Sequence, residues 1–144
     1  RYGGGVVPDG GGATPLDRAG DDALARYAAA MDGLLLHRGA AAAWDLVPEA
    51  NGYVERQAPW AQAKAGDAAA LDATLAALSR ALLRLAVLVA PFLPGAAATL
   101  WEALGQGAEL PPQGTWARAE RPELAGAQTH RIPPLFPKAE RPAA

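Results

Sequence analysis

The residues best suited to chemistry in this sequence stand together at Arg56-Gln57-Ala58-Pro59-Trp60, with Lys64 four positions further on. Pro59 has no backbone N–H and biases Ala58 away from helical geometry. A helix reaching Arg56 should therefore end there and present the next side chain from a loop. An indole presented in this way is a stacking platform, and single-stranded RNA loops are recognised largely by bases splayed onto aromatic faces. Arg56, one turn before Pro59, and Lys64, beyond Trp60, carry charge that can hold neighbouring phosphates. Residue types alone favour a plainer role, in which Trp60 packs on the following helix as a cap on the core. Both readings are open at this level.

Other chemistry is sparse. His37 and His130 are far apart in sequence, and Asp21-Asp22 sits at an expected helix start, where the macrodipole favours negative charge without any catalytic role. Neither Gly3-Gly4-Gly5 nor Gly10-Gly11-Gly12 has the spacing of a phosphate cradle, and no H-E-x-x-H or G-x-S-x-G motif occurs. Without cysteine there is no disulfide, thiolate metal site or thiol nucleophile. A net charge of −2 argues against general coating of nucleic acid, so any RNA contact must be local.

The elements that must position these residues are helical. With 144 residues and 51% hydrophobic content the chain suits one domain with a sizeable core. No stretch approaches the roughly 20 apolar residues of a membrane span, and the start at Arg1 has no signal-peptide layout, so the expectation is a soluble piece of a longer, cytoplasmic protein. Residues 1–20 hold seven glycines and two prolines and read as a mobile linker or surface loop. From Asp21 as N-cap, Leu24, Tyr27, Met31 and Leu34 or Leu35 recur at helical spacing as far as Gly39, a C-terminal stop. A second helix runs from about Ala40 to Gln57, kinked near Pro48. After Asp67, Leu71, Leu75, Leu78, Leu82, Leu85 and Val89 give the clearest period and predict the longest helix, stopped by Pro91 and Pro94. A shorter helix follows from about Gly95 to Gly105, with Ala97, Leu100, Trp101 and Leu104 inward. Beyond Gln106, seven prolines indicate an extended tail.

The other aromatics read as structural. Trp44, Tyr53 and Trp101 should fill the core, Phe136 should dock the tail, and Trp116 is undecided. Arg80 and Arg84, one turn apart, read as a solvated face or a phosphate contact, and the solvated face is favoured.

The stretch from Ala50 through Asn51, Tyr53, Ala58-Pro59-Trp60 and on to Lys64 resembles the helix-to-loop signature of the methionyl-tRNA synthetase family, where Asn-x-Tyr leads into Ala-Pro-Trp and then a Lys. Ala90-Pro91-Phe92-Leu93-Pro94 and Leu100-Trp101-Glu102-Ala103-Leu104-Gly105 look like the ending of that family's helical bundle. The first of these recurs in the leucyl, isoleucyl, valyl and cysteinyl synthetases. Pro134-Leu135-Phe136-Pro137-Lys138 resembles the family's closing Leu-Phe-Pro-Arg, with Lys for Arg. Tyr2-Gly3-Gly4-Gly5-Val6-Val7-Pro8 resembles the loop after its first anticodon-domain helix. Pro48 departs from the family's uninterrupted helix.

The resemblance implies an all-α bundle of about four helices over residues 21–105, with a Gly-rich loop over 1–20 and residues 106–144 folding back across it as an extended tail. It also implies anticodon recognition, with Trp60 touching the anticodon and Pro59, Arg56 and Lys64 beside it. Asn51 would hydrogen-bond within the bundle. The partner would be methionine tRNA with its CAU anticodon. ATP and any zinc would belong to a catalytic region outside this chain, which would itself hold no catalytic, cofactor or metal residues. The alternatives are the anticodon domain of another class I synthetase and a non-catalytic helical interaction module.

Overall fold

A computed structural model describes residues 4–108, 110 and 115–137 of the chain. Expectations that rest on Tyr2, Gly3 and Lys138, and on the remainder of the tail beyond it, lie outside the described residues. Six helices occur among those described: α1 (Pro15–Asp32), α2 (Leu36–Gln57), α3 (Pro59–Ala65), α4 (Ala68–Val89), α5 (Pro94–Ala103) and α6 (Thr115–Glu120). The all-α bundle expected from the sequence is present, with two short helices beyond the four anticipated.

The first helix starts earlier than Asp21. Thr14 and Asp17 form a capping box: the Asp17 N–H donates to Thr14 Oγ1 at 3.2 Å, and the Thr14 N–H donates to Asp17 Oδ2 at 2.8 Å. Pro15 occupies the first helical position, where a missing N–H costs nothing. Gly20 made this stretch read as linker, but it lies inside α1 and is buried. A Cβ there would come within 2.2 Å of Arg84 Nη1. Gly39 is likewise no stop, because it lies inside α2 with Met31 Sδ 2.7 Å from where its Cβ would stand. It lets α1 and α2 pack closely. The first helix instead ends at Asp32, and the chain turns through Leu34.

Helix α4 is the centre of the bundle and touches α1, α2, α3, α5 and α6. Asp67 caps it as expected, accepting from the Ala70 N–H at 3.1 Å. The deepest positions of α4 are not those of the leucine repeat read from the sequence. Leu82 is 38% exposed, whereas Ala77, Leu83, Ala86 and Leu88 are fully buried. They lie on more than one side of the helix and belong to three core clusters, so α4 is buried nearly all round.

Residues 4–20 belong to the fold rather than to a separate linker. Val7 is buried with Leu83, Leu100, Trp101, Leu104 and Leu124, and exchanges backbone hydrogen bonds with Gly126 and Ala127. The tail is not wholly extended either, since it contains α6 and returns across the bundle at Leu124 and Gln128. Trp101 is fully buried and donates its indole N–H to the Gln106 carbonyl at 3.1 Å. Trp116 stacks on Tyr27 at 6.0 Å. Two aromatics were misplaced by the sequence reading: Trp44 is 49% and Phe136 65% exposed.

Arg80 and Arg84 are corrected most sharply. Arg84, expected in solvent, is buried. It donates to the Ala119 carbonyl (2.9 Å), the Asp17 carbonyl (2.8 Å) and Asp21 Oδ1 (2.6 Å), tying α4 to α1 and α6. Arg80 pairs with Asp17 at 2.7 Å and also donates to the carbonyls of Gly10 and Gly12, which holds the Gly-rich segment in place.

Two outcomes follow from these arginines. Burial by itself would raise the Asp17 carboxyl, but hydrogen bonds from Arg80 and Thr14 prevail and lower it from 3.8 to about 2. Its contribution to stability is thus complete above 3.8 and disappears as the pH falls through about 2. Urea unfolding should show a loss of about 2 kcal/mol across that acid window, absent in Asp17→Asn. In a second test, Gly20→Ala drives a methyl into the Arg84 guanidinium and should cost about 1–3 kcal/mol by the same assay. Wild-type stability in Gly20→Ala would mean that the Arg84 seat is not tight.

Candidate nucleic-acid interface

The site lies where α2 gives way to α3. Ala58 ends one helix and begins the next, at φ 45 and ψ 62. Its N–H donates back to the Val54 carbonyl at 2.9 Å, and its own carbonyl accepts from Ala61 and Gln62 at 2.7 and 3.2 Å. The expectation that Pro59 breaks the helix holds, but Trp60 is not in a loop. Pro59 is also the favoured first residue of a helix, so a second helix starts at once. A sharp left-handed corner replaces the expected loop.

That corner decides where the side chains go. Pro59 is buried, and α3 packs against α4. Trp60, one residue later, is 52% exposed, and among the described residues its indole has neither a ring partner nor a hydrogen bond. A core cap would be far more enclosed. Lys64 is exposed four residues along the same short helix, which puts it on the face that carries Trp60. Neither it nor Arg56 forms an ion pair among the described residues.

Arg56 is exposed but turns away from the indole. Its Nη1 lies 2.9 Å from where a Gly52 Cβ would stand, one turn back along α2. Helical side chains lean toward the N-terminus in this manner, and Gly52 leaves room for the guanidinium. The site therefore joins Pro59, Trp60 and Lys64 on one short helix and sets Arg56 to one side. Asn51 is exposed rather than hydrogen-bonded within the bundle as expected. Trp44, a second exposed indole, lies 13 residues before Gln57 on α2. At helical rise this is about 20 Å from the corner, too far to join the site.

Sequence reasoning missed Gln62. It points inward from α3 and donates to Gln57 Oε1 at 3.5 Å, while its own Oε1 is buried without a partner. A polar residue two positions after Trp60, on the opposite side of a helix, is legible only once α3 is known to be a helix. Among the described residues no cluster of His, Asp and Glu could hold a metal ion, and no helix is long and apolar enough to cross a membrane.

The strain at Ala58 can be measured. A left-handed conformation is easy for glycine and costly for any residue with a Cβ. Ala58→Gly should raise stability by up to about 1 kcal/mol, and Ala58→Val should lower it. A thermal melt of both variants checks the corner, and the opposite order would mean that it is not left-handed.

Comparison with known proteins agrees with this architecture. Residues 7–139 match the model of the anticodon binding domain of methionyl tRNA ligase. The chain is 34% identical over 139 residues to the methionine–tRNA ligase of Pyrobaculum arsenaticum, covering 94% of this chain and 24% of that protein. It is 40% identical over 110 residues to the enzyme of Mesorhizobium japonicum, covering 74% of this chain and 21% of that one. The apo crystal structure of Mycobacterium tuberculosis methionyl-tRNA synthetase superposes with a TM-score of 0.81 at 27% identity, over 96% of this chain and 29% of that one. The chain thus spans about a quarter of the length of these relatives. With its helical fold and a match across most of its length, the chain belongs to the family of methionyl-tRNA ligase anticodon-binding domains.

Proposed function

We propose that this chain reads the CAU anticodon of methionine tRNA as part of a cytoplasmic methionyl-tRNA synthetase, with a base of the anticodon stacked on Trp60. The observation that carries this reading is the unpartnered, half-exposed indole held on a short, anchored helix. The helix fixes where the ring is carried, and stacking on a base would cover apolar surface that water now touches. Lys64, on the same face, is suited to a phosphate next to the stacked base. Arg56, leaning along α2, is suited to a phosphate further along the strand. Family membership supports the choice of RNA, and the curated relatives, named as methionine–tRNA ligases, support the choice of tRNA.

In the complete enzyme, activation of methionine by ATP and its transfer to tRNA would take place on a separate catalytic region. This chain would contribute positioning and discrimination. Binding energy spent at the anticodon would hold the acceptor end in register with that distant site.

The test is Trp60→Ala in the complete synthetase. Loss of stacking should lower kcat/KM for charging CAU-bearing tRNA by ~1–3 kcal/mol, roughly 5- to 150-fold, with little change in melting temperature because the indole is not in the core. Lys64→Ala should weaken binding less and flatten its salt dependence by about one phosphate contact. A large fall in melting temperature for Trp60→Ala, with unchanged discrimination between CAU and altered anticodons, would remove Trp60 from the recognition surface.

A further inference from the structure

Two side-chain amides face each other inside the corner between α2 and α3. Gln57 is the last residue of α2, Gln62 lies on the inner side of α3, and both are partly buried. Gln62 Nε2 donates to Gln57 Oε1 at 3.5 Å, the long limit for such a bond, so the pair contributes little to stability. Gln62 Oε1 is buried without a partner. Turning the Gln62 amide over would not help, because its oxygen would then face Gln57 Oε1 and its NH2 would take the buried place. A methionine at position 62 would be of similar length and would strand no amide there. On stability alone, glutamine is the poorer residue at this position.

What Gln62 does achieve is to orient Gln57. With its oxygen engaged inward, the Gln57 amide turns its NH2 the other way. That Nε2 is not buried and has no partner among the described residues. Gln57 therefore presents a hydrogen-bond donor at the corner. Only Ala58 and Pro59 separate it from Trp60, which keeps the two Cα atoms within about 11 Å of each other. A strand that lays one base on the indole brings base edges within reach of the amide. The ring alone cannot tell bases apart, since every base has a π-face, whereas hydrogen bonds to base edges carry that distinction.

We infer that Gln57 is a specificity-determining residue of the anticodon site, donating from Nε2 to the carbonyl oxygen of a pyrimidine base, and that Gln62 is the positioning residue that sets its amide. This rests on the reading that the Trp60 face takes the anticodon. Cytosine and uracil each carry a carbonyl oxygen and adenine carries none, so among the three bases of CAU a lone donor suits the two pyrimidines. The neighbouring cations do not fill this role. Arg56 leans back over Gly52, and Lys64 stands on the outer face of α3, where a phosphate is the better partner. The stranded Gln62 oxygen is thus accounted for as the cost of holding a donor in a fixed direction.

Charging kinetics of the complete synthetase test the inference, with methionine tRNA carrying CAU or an anticodon in which one base is replaced. Exchange of a pyrimidine for adenine removes the carbonyl. Gln57→Met keeps the length of the side chain and loses the donor, so the penalty for that exchange should shrink about 3- to 10-fold at one pyrimidine position. The penalty for replacing the central adenine should stay as in the wild type. Gln62→Met should relax discrimination at the same pyrimidine position, while its melting temperature does not fall. Unchanged discrimination in Gln57→Met overturns the inference, as does a loss spread equally over all three positions. A Gln62→Met enzyme that melts lower and discriminates normally also overturns it, since the pair would then be a structural link. Failure of the underlying reading is seen separately, as a Trp60→Ala enzyme that still discriminates; discrimination lost in Trp60→Ala but kept in Gln57→Met removes Gln57 alone.

Discussion

The buried guanidinium of Arg84 is the interaction on which the rest of this bundle depends. Removing such a charge from water is costly, and the cost is met only where every direction of the group has an acceptor. Here the acceptors come from two separate elements: main-chain and carboxylate oxygens of α1, and the Ala119 carbonyl of α6. Arg84 can therefore be buried only when α1, α4 and α6 are in register. Gly20 leaves the space the guanidinium fills, and Arg80 repeats the device one turn away through Asp17 and the Gly-rich segment. Two arginines on the central helix thus settle where the first helix and its leader lie.

This has a consequence at the other end of the molecule. With α1 pinned to α4, α2 packs against both, and beyond the corner at Ala58 α3 returns to α4. Pro59 becomes buried in that return, and Trp60 is left outside. The exposure of the indole is therefore a product of the packing around it. Carried on a packed helix, the indole requires less ordering of the backbone on binding than an aromatic on a mobile loop.

Much of the architecture was legible in the sequence, and the failures share a cause. The period from Leu71 to Val89, the Asp67 cap and the inward set on α5 needed only local rules, and they placed α4 and α5 closely. Gly20 and Gly39 were misread because glycine signals a break locally but accommodates a neighbour in three dimensions, and the neighbours are Arg84 and Met31, remote or across a turn. Arg80 and Arg84 looked solvated because their partners lie more than 60 residues away at Asp17 and Asp21. Trp44 looked buried because it falls on or beside an apolar face of its helix, yet half of it is left in solvent. At the site, residue types pointed correctly to a break at Pro59. The presence of α3, which sets Lys64 beside Trp60 and turns Gln62 inward, required knowing that Pro59 both ends one helix and starts another.

The central claim is that a base of the anticodon stacks on Trp60, and the most direct measurement is fluorine NMR of the complete synthetase labelled with fluorotryptophan, with the Trp60 resonance assigned through Trp60→Phe. Titration with an anticodon stem-loop bearing CAU should shift that resonance saturably, leave the buried Trp101 resonance in place, and have a much weaker effect when the anticodon is altered. A Trp60 resonance that stays fixed while the RNA binds, or that moves equally for every anticodon, would contradict the claim.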